Sequence, residues 1–264
     1  MMMMMEMMIN KTHNENCLDT MARMEDNFID LTVTSPPYDN LRTYKGYSFD
    51  FESIAKELFR VTKEGGVVVW VVGDKTQKGS ESGTSFKQAL YFKECGFKLH
   101  DTMIYQKAVP PMNDRRYQHN FEYMFVFVKG RLKTFNPIMI EKKYKDKRTN
   151  KNFHRDESGI FVKGFSKPKQ TLKIKENVWN IFAGGGNSDK IASNHPAIFP
   201  EQLANDHIIS WSNENELVYD CFMGSGTTAK MAKLNNRNWI GSEMSEEYCE
   251  IATERIKETE LKLF

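Results

Sequence analysis

A continuous apolar segment lies in the N-terminal half of the chain, at residues 67–74 (VVVWVVGD). A strand with one solvated face alternates apolar and polar side chains, whereas a strand covered on both faces is apolar almost throughout. The segment is far shorter than the ~20 apolar residues that cross a bilayer. It therefore predicts a buried strand in a sheet that has other elements packed on both of its faces.

Strand-like and helix-like segments alternate around this predicted strand. Residues 28–34 (FIDLTVT) are β-branched and stop at Pro36-Pro37, as expected of a strand that runs into a loop. Residues 50–62 carry apolar side chains at helical spacing, and Gly65-Gly66 is expected to end this helix. The remaining predicted strands are 99–106, 121–128, 216–220 and 238–243, and the remaining predicted helices are 84–97, about 200–212, 227–235 and 246–260. This alternation predicts a doubly wound, mostly parallel α/β sheet.

The composition is that of a globular protein. Of 264 residues, 40% are hydrophobic, and 18 Phe with 10 Tyr can form a substantial core, which excludes disordered and fibrous chains. The Met-rich start MMMMMEMMIN lacks the features of a signal peptide. The four cysteines include no CxxC pair, so we expect reduced thiols, no zinc site and a cytoplasmic protein that does not engage a membrane.

Positive charge is concentrated in residues 129–175. This segment contains 15 Lys or Arg and four acidic residues, a net charge of +11, whereas the whole chain carries +2 and the rest therefore −9. Aromatic residues are interleaved with these charges, which suits a polyanion with stackable bases better than a lipid surface. The segment is thus predicted to be a basic, loop-rich insertion that contacts nucleic acid; a solvated, flexible loop is the alternative.

A glycine-rich turn follows the predicted strand 216–220. The sequence DCFMGSGTT (220–228) allows the backbone to approach a ligand at the glycines, and Thr227-Thr228 begin a helix whose N-terminus favours an anion. Glu243 closes the next strand, where an acidic side chain can accept hydrogen bonds from ribose hydroxyls. These features predict a site for a nucleoside that bears a small anionic group, although a tight turn beside a structural Glu would give the same pattern.

A second loop, Thr34-Ser35-Pro36-Pro37-Tyr38, follows the predicted strand 28–34. Open α/β sheets bind their ligands at such carboxyl ends of strands. The prolines stiffen the loop and supply carbonyls, Ser35 supplies a hydroxyl, and Tyr38 supplies a ring with a polar tip. The loop can therefore hold a planar group that carries an NH₂, and a plain proline turn is the alternative.

The segments TSPPY, HPAIFPEQL, DCFMGSGTT and WIGSE, taken together and in this order, resemble the S-adenosylmethionine-dependent DNA amino methyltransferases that modify N4 of cytosine or N6 of adenine. The order of the motifs is that of the beta group, in which target recognition lies between the two halves. The resemblance implies a Rossmann-like methyltransferase sheet with a catalytic half at 9–130, a basic target-recognition insertion at 131–178 and a cofactor-binding half at 179–264. Two positions depart from the usual pattern: Cys221 stands in place of a proline, and Asn16 in place of an aspartate.

The resemblance also implies a role for each motif residue. The target base would be held at Ser35, Pro36, Pro37 and Tyr38, which form the catalytic loop. S-adenosylmethionine would be held by Asp220, Phe222, Gly224, Gly226, Thr227, Thr228 and Glu243, with His195, Phe199 and Pro200 closing the same site. No metal is required, because the sulfonium is already activated.

The resemblance predicts methyl transfer to a flipped-out base in double-stranded DNA. Ser at the first position of the SPPY loop favours N4 of cytosine, and N6 of adenine remains the alternative. The sequence leaves open action on RNA or a protein amide, a non-catalytic nucleic-acid-binding protein on this scaffold, a homodimer and a cognate restriction endonuclease.

Overall fold

The computed structural model describes residues 7–37, 49–107, 115–142, 153–155, 158, 160–163, 171–181 and 199–261. The chain forms two compact units, the larger comprising residues 1–136 and 177–264 and the smaller residues 137–176. Tyr38 and His195, both predicted site residues, lie outside the described residues.

The described elements follow one another in this order: β1 (Lys11–Asn14), α1 (Cys17–Ala22), β2 (Ile29–Thr34), α2 (Phe51–Val61), β3 (Thr62–Val72), β4 (Thr76–Gln77), β5 (Ser80–Glu81), α3 (Thr84–Glu94), β6 (Lys98–Lys107), β7 (Phe121–Val128), β8 (Met139–Glu141), β9 (Phe153–Arg155), β10 (Phe161–Lys163), β11 (Leu172–Ile174), β12 (Val178–Ile181), α4 (Glu201–Trp211), β13 (Leu217–Asp220), α5 (Thr227–Leu234), β14 (Asn238–Glu243) and α6 (Glu246–Leu261). Strands β8 to β11 belong to the smaller unit, and all other elements belong to the larger one.

The larger unit contains a sheet in the order β1-β14-β13-β2-β3-β7-β6-β12. All neighbouring strands in it are parallel except for β7, which is antiparallel to both β3 and β6. The predicted α/β architecture with a mostly parallel sheet is therefore confirmed. Residues 67–72 of β3 are almost completely buried, as expected of a central strand.

An aromatic cluster fills the core beside β3. The indole of Trp70 packs against Phe51 and Phe92 at 5.9 and 5.1 Å between ring centroids, and its Nε1 donates to Gln88 Oε1 at 2.8 Å. This hydrogen bond satisfies the one polar atom of a fully buried indole. The apolar face of α2, formed by Ile54, Leu58 and Val61, is buried as its spacing predicts.

One sequence expectation about α2 is wrong. The helix ends at Val61, and Gly65-Gly66 lies inside β3 rather than at the end of the helix. Gly65 has φ +80°, and a Cβ there would lie 2.9 Å from the carbonyl oxygen of Arg131. The register between β2 and β3 shifts next to Ile29. Both glycines therefore lie in an irregular stretch of β3, where the backbone of other residues comes too close to leave room for a side chain.

Other differences lie at the edges of the sheet. The elements β1, α1 and β12 contain four, six and four residues and were not expected as elements. In addition, β12 pairs in parallel with β6, and β1 with β14. Short edge elements carry too few residues to show a hydrophobic period.

The smaller unit is built from short antiparallel pairs. Strand β8 pairs with β11, and β9 pairs with β10. Each of these strands has three residues, which agrees with the absence of a strong period in this basic segment.

Across the part of the chain that the structure describes, no helix is long and apolar enough to span a bilayer. The structure contains all four cysteines as free residues.

Candidate active site

The site lies where the direction of winding changes in the sheet. Strands β13 and β2 are parallel neighbours, paired at Val218–Leu31 and Tyr219–Thr32. From β13 the chain continues to β14 on one side, and from β2 it continues to β3 on the other. Such a switch point opens a crevice at the carboxyl ends of the strands, where α/β proteins bind their ligands. Both sequence motifs begin at this point, because the SPPY loop follows β2 and the glycine turn follows β13.

A buried hydrogen bond joins the two motifs. Thr34 Oγ1 donates to Asp220 Oδ1 at 2.6 Å, and the backbone N–H of Phe222 donates to the same oxygen at 3.1 Å. The Thr228 hydroxyl is also within hydrogen-bonding reach of this carboxylate, and it donates to the Val33 carbonyl at 3.2 Å. Burial nevertheless raises the pKa of Asp220 from 3.8 to about 6, because the charged form loses its hydration. The last residues of the two strands are thus held together around a carboxylate that is costly to keep charged.

The glycine turn is fixed by close packing against α6. Gly226 has φ +78°, and a Cβ there would lie 2.8 Å from the Cβ of Ala252. The N–H of Met223 donates to the Ser242 carbonyl at 2.9 Å, and the N–H of Gly226 donates to the Met223 carbonyl at 2.9 Å. Helix α5 then begins at Thr227 as predicted, and both Thr227 and Thr228 are buried.

Glu243 ends β14 as predicted and faces the same turn. Its carboxylate accepts the Gly224 N–H and the Ser245 N–H, each at 2.9 Å. Burial raises the pKa of Glu243 above its usual value. Within the described residues, neither Glu243 nor Asp220 forms an ion pair with Lys, Arg or His. The edge of the sheet therefore carries one buried and one half-buried carboxyl group, Asp220 and Glu243, whose charge no described cation balances.

The first loop brings a hydroxyl and two prolines to this edge. Pro36 is buried, and Ser35 and Pro37 are half-buried directly after β2. On the other side of the turn, the ring centroid of Phe222 lies 5.6 Å from that of Phe49 and 6.2 Å from that of Trp70. Phe222 therefore packs against the aromatic core beside β3.

Phe199 and Pro200 immediately precede α4 and are half-buried. The Pro200 carbonyl accepts the Leu203 and Ala204 N–H groups at 3.0 and 3.1 Å, which makes Pro200 the N-terminal residue that caps α4.

Comparison with known proteins identifies the family. A family model described as a DNA methylase (N6_N4_Mtase) matches residues 29–254. The chain belongs to this family. The methyltransferase is 60% identical over 238 residues to the orphan methyltransferase M.BamHII of Bacillus amyloliquefaciens, an alignment covering 87% of this chain and 89% of that protein. It is also 29% identical to the type II methyltransferase M1.MboII of Moraxella bovis, over 91% of this chain and 94% of the other.

Solved structures show the same fold. The PvuII DNA methyltransferase, titled cytosine-N4-specific, superimposes with a TM-score of 0.70 at 22% identity, covering 92% of this chain and 85% of that one. A DNA modification methylase of Thermus thermophilus, solved in complex with S-adenosyl-L-methionine, gives a TM-score of 0.64 at 20% identity and covers 94% and 93% of the two chains. The protein is thus a DNA methyltransferase of the S-adenosylmethionine-dependent class, as the motifs predict.

Sequence reasoning missed one residue that contacts the candidate site. Arg255 of α6 is 1% exposed and donates to Ser225 and Thr227 of the glycine turn. It lies on the same helical face as Ala252 and Thr259, which are both buried. The sequence does contain a signal for Arg255: a charged residue lies on a helical face that otherwise carries the small residues Ala252 and Thr259.

The two departures from the usual pattern have local explanations. Asn16 caps α1, its Oδ1 accepting the Leu18 N–H at 2.9 Å, and therefore serves a structural purpose. Cys221 is buried, with its Sγ 3.7 Å from Thr34 Oγ1, and burial raises the pKa of its thiol well above the usual value. Among the residues that the structure describes, no group of three or more His, Cys, Asp or Glu side chains is arranged to hold a metal.

Proposed function

We propose that this methyltransferase transfers a methyl group from S-adenosylmethionine to the exocyclic N4 of cytosine in double-stranded DNA. The proposal is carried by one observation. The start of the SPPY loop and the glycine turn meet at the switch point and are linked by the 2.6 Å hydrogen bond from Thr34 to Asp220. A loop suited to an amine and a turn suited to a nucleoside are thereby parts of one site.

The residues at the turn fit S-adenosylmethionine. The cofactor has a positive sulfonium, a positive ammonium, a carboxylate and two ribose hydroxyls. The carboxyl groups of Asp220 and Glu243, which form no ion pair among the described residues, complement its positive groups and hydroxyls. Glu243 would accept the ribose hydroxyls. The methionine moiety would lie against Asp220, Phe222, Gly224, Gly226, Thr227 and Thr228. Phe199 and Pro200, together with His195, would cover it.

S-adenosylmethionine supplies, when bound, a methyl group on a sulfonium that is already activated for transfer. The protein has to prepare the acceptor, because the lone pair of an exocyclic amine is delocalised into the base. Ser35 Oγ and the Pro36 carbonyl would accept the hydrogens of the amine, favour a tetrahedral nitrogen and so localise its lone pair. Tyr38 would stack on the flipped-out base. Rigid prolines hold these acceptors in alignment, and alignment supplies much of the rate acceleration.

Ser35 supports cytosine as the target base, because Ser at this loop position leans toward N4-cytosine in the resembled family. The basic segment 129–175, with net charge +11, supports DNA as the substrate. The 60%-identical relative is named an orphan methyltransferase, which supports action without a cognate endonuclease.

The test is to incubate the protein with mixed-sequence duplex DNA and methyl-labelled S-adenosylmethionine, digest the DNA to nucleosides and identify the labelled product. We expect N4-methylcytosine. N6-methyladenine would overturn the assignment of the base but leave the site and the mechanism standing. Label in neither nucleoside, with the cofactor still bound, would contradict the proposal and favour an RNA substrate or a non-catalytic nucleic-acid-binding protein.

A further inference from the structure

A buried arginine lies beneath the glycine turn. The guanidinium of Arg255 donates from Nη1 to the carbonyl oxygen of Ser225, to Ser225 Oγ at 2.9 Å and to Thr227 Oγ1 at 3.2 Å. From Nη2 it donates to Glu201 Oε1 at 3.1 Å. One side chain therefore binds the second half of the turn, the first residue of α5 and the first residue of α4.

Among the described residues, Arg255 donates mainly to neutral acceptors of the turn. Glu201 Oε1 also accepts from Lys230 Nζ at 2.7 Å, so two cations share one carboxylate. The Arg255 side chain is fully buried, whereas that of Glu201 is 38% exposed. A buried guanidinium is retained only if its donors are satisfied, and here the turn itself satisfies most of them. These hydrogen bonds lie at the N-terminus of α5, a helix end that carries a partial positive charge.

We propose that Arg255 is a positioning residue for the cofactor: its hydrogen bonds to Ser225 and Thr227 fix residues 225–227 in the conformation that receives the amino-acid end of S-adenosylmethionine. The inference rests on the proposed cofactor site. Arg255 lies one residue beyond the stretch that matches the family model, residues 29–254. The proposal concerns one end of the cofactor, because Glu243 would hold the ribose, whereas Arg255 would act only at the amino-acid end.

Two ligands separate these ends of the cofactor. S-adenosylhomocysteine contains the nucleoside, the sulfur and the amino-acid end, whereas 5′-methylthioadenosine contains the nucleoside and the sulfur alone. The measurement is calorimetric titration of both ligands into the full-length protein and into the variant Arg255→Lys. Lysine retains the charge but not the planar fork of donors, so we expect S-adenosylhomocysteine to bind roughly tenfold more weakly, the equivalent of one hydrogen bond to a charged group. Binding of 5′-methylthioadenosine should change less than about twofold, within the range left by an unaffected nucleoside site.

A second variant guards against failure of Arg255→Lys to fold. Ser225→Ala removes one acceptor of the guanidinium from a buried position and should weaken S-adenosylhomocysteine selectively by about threefold, a value typical of one modest hydrogen bond. In the Arg255→Lys background it should add little, because the two groups act through one contact. Lys233→Met is the matched control. Lys233 also joins α5 to α6, through a 3.3 Å hydrogen bond to the Ile256 carbonyl, but this contact lies away from the turn. Its loss should leave both affinities unchanged.

Equal weakening of both ligands in Arg255→Lys and Ser225→Ala would overturn the inference, because it would mean general loosening of the fold. Unchanged binding of S-adenosylhomocysteine in both variants would overturn it as well. If the unaltered protein binds neither ligand, the proposed cofactor site itself fails, and the inference fails with it.

Discussion

Asp220→Asn should change how the stability of the ligand-free protein depends on pH. The carboxyl of Asp220 is buried, accepts hydrogen bonds from Thr34 and from the N–H of Phe222, and has no ion pair among the described residues. An asparagine Oδ1 can accept the same two bonds. Its Nδ2 can donate to Thr228 Oγ1, which itself donates to the Val33 carbonyl at 3.2 Å. The substitution thus removes the charge and retains the local hydrogen bonds.

The magnitude follows from the pKa of this carboxyl. Burial raises the pKa of Asp220 from 3.8 to about 6. Between these values the folded protein holds a proton that the unfolded chain has released, so the free energy of unfolding falls as the pH rises. The loss amounts to about 3 kcal/mol, is nearly absent below about pH 3 and is complete above about pH 7. Asparagine does not titrate, so the stability of Asp220→Asn relative to the unaltered protein should increase by about 3 kcal/mol across this range.

Urea denaturation of both proteins at intervals from about pH 3 to about pH 8 measures this difference. Burial also raises the pKa of Glu243, so both proteins should retain a residual slope of the same sign. Subtracting one plot of unfolding free energy against pH from the other removes the contribution of Glu243. It also removes any pH-independent change in stability that the asparagine amide introduces. Parallel curves would refute the reasoning, because they would mean that Asp220 titrates alike in the folded and unfolded protein. Binding of a positively charged cofactor should stabilise the unaltered protein more than Asp220→Asn.

Two further substitutions test contacts that hold the site and the sheet. Gly226→Ala forces a methyl group to 2.8 Å from the Cβ of Ala252 at φ +78°, so we expect a loss of about 1–3 kcal/mol in thermal or urea unfolding and weaker binding of S-adenosylhomocysteine; an unchanged midpoint would contradict the close packing of the turn. Lys129→Met removes a buried ammonium that donates to Asn27 Oδ1 and to the Phe59 and Thr62 carbonyls at 2.8–2.9 Å. It should destabilise the fold by about 2–4 kcal/mol in the same assay without changing ligand affinity in the molecules that remain folded, and a neutral effect would refute this anchoring role.

The interior of the sheet could be predicted from the sequence, whereas its edges could not. Apolar runs predict β3, β13 and β14, whose central residues are buried, although β3 begins at Thr62 rather than at the predicted Val67. Strand β1 reads KTHN and has no fully buried residue, so no pattern distinguishes it from a loop. The pair Gly65-Gly66 resembles the end of a helix locally, but its position inside β3 depends on the close approach of Arg131 and Lys133, which lie more than sixty residues away.

The two motifs of the site could also be found in the sequence, but the bonds that join them could not. The Thr34–Asp220 hydrogen bond spans 186 positions and exists only because β2 and β13 are neighbours. The contact of Arg255 with Ser225 likewise depends on how α6 packs against the turn. Residue patterns thus indicate which groups are present, and the strand order determines which of them meet.

The central claim is that the two loops divide the reaction, one holding the base and the other the cofactor. Steady-state kinetics of Ser35→Ala and Glu243→Ala, with S-adenosylmethionine varied at saturating DNA, tests this division most directly. Ser35→Ala should lower kcat roughly a hundredfold and leave the KM for the cofactor unchanged, because it removes an acceptor that acts on the amine. Glu243→Ala should raise the KM for the cofactor by roughly tenfold or more and lower kcat far less. The opposite pattern, or two variants that lose activity only in proportion to their unfolded fraction, would contradict the account.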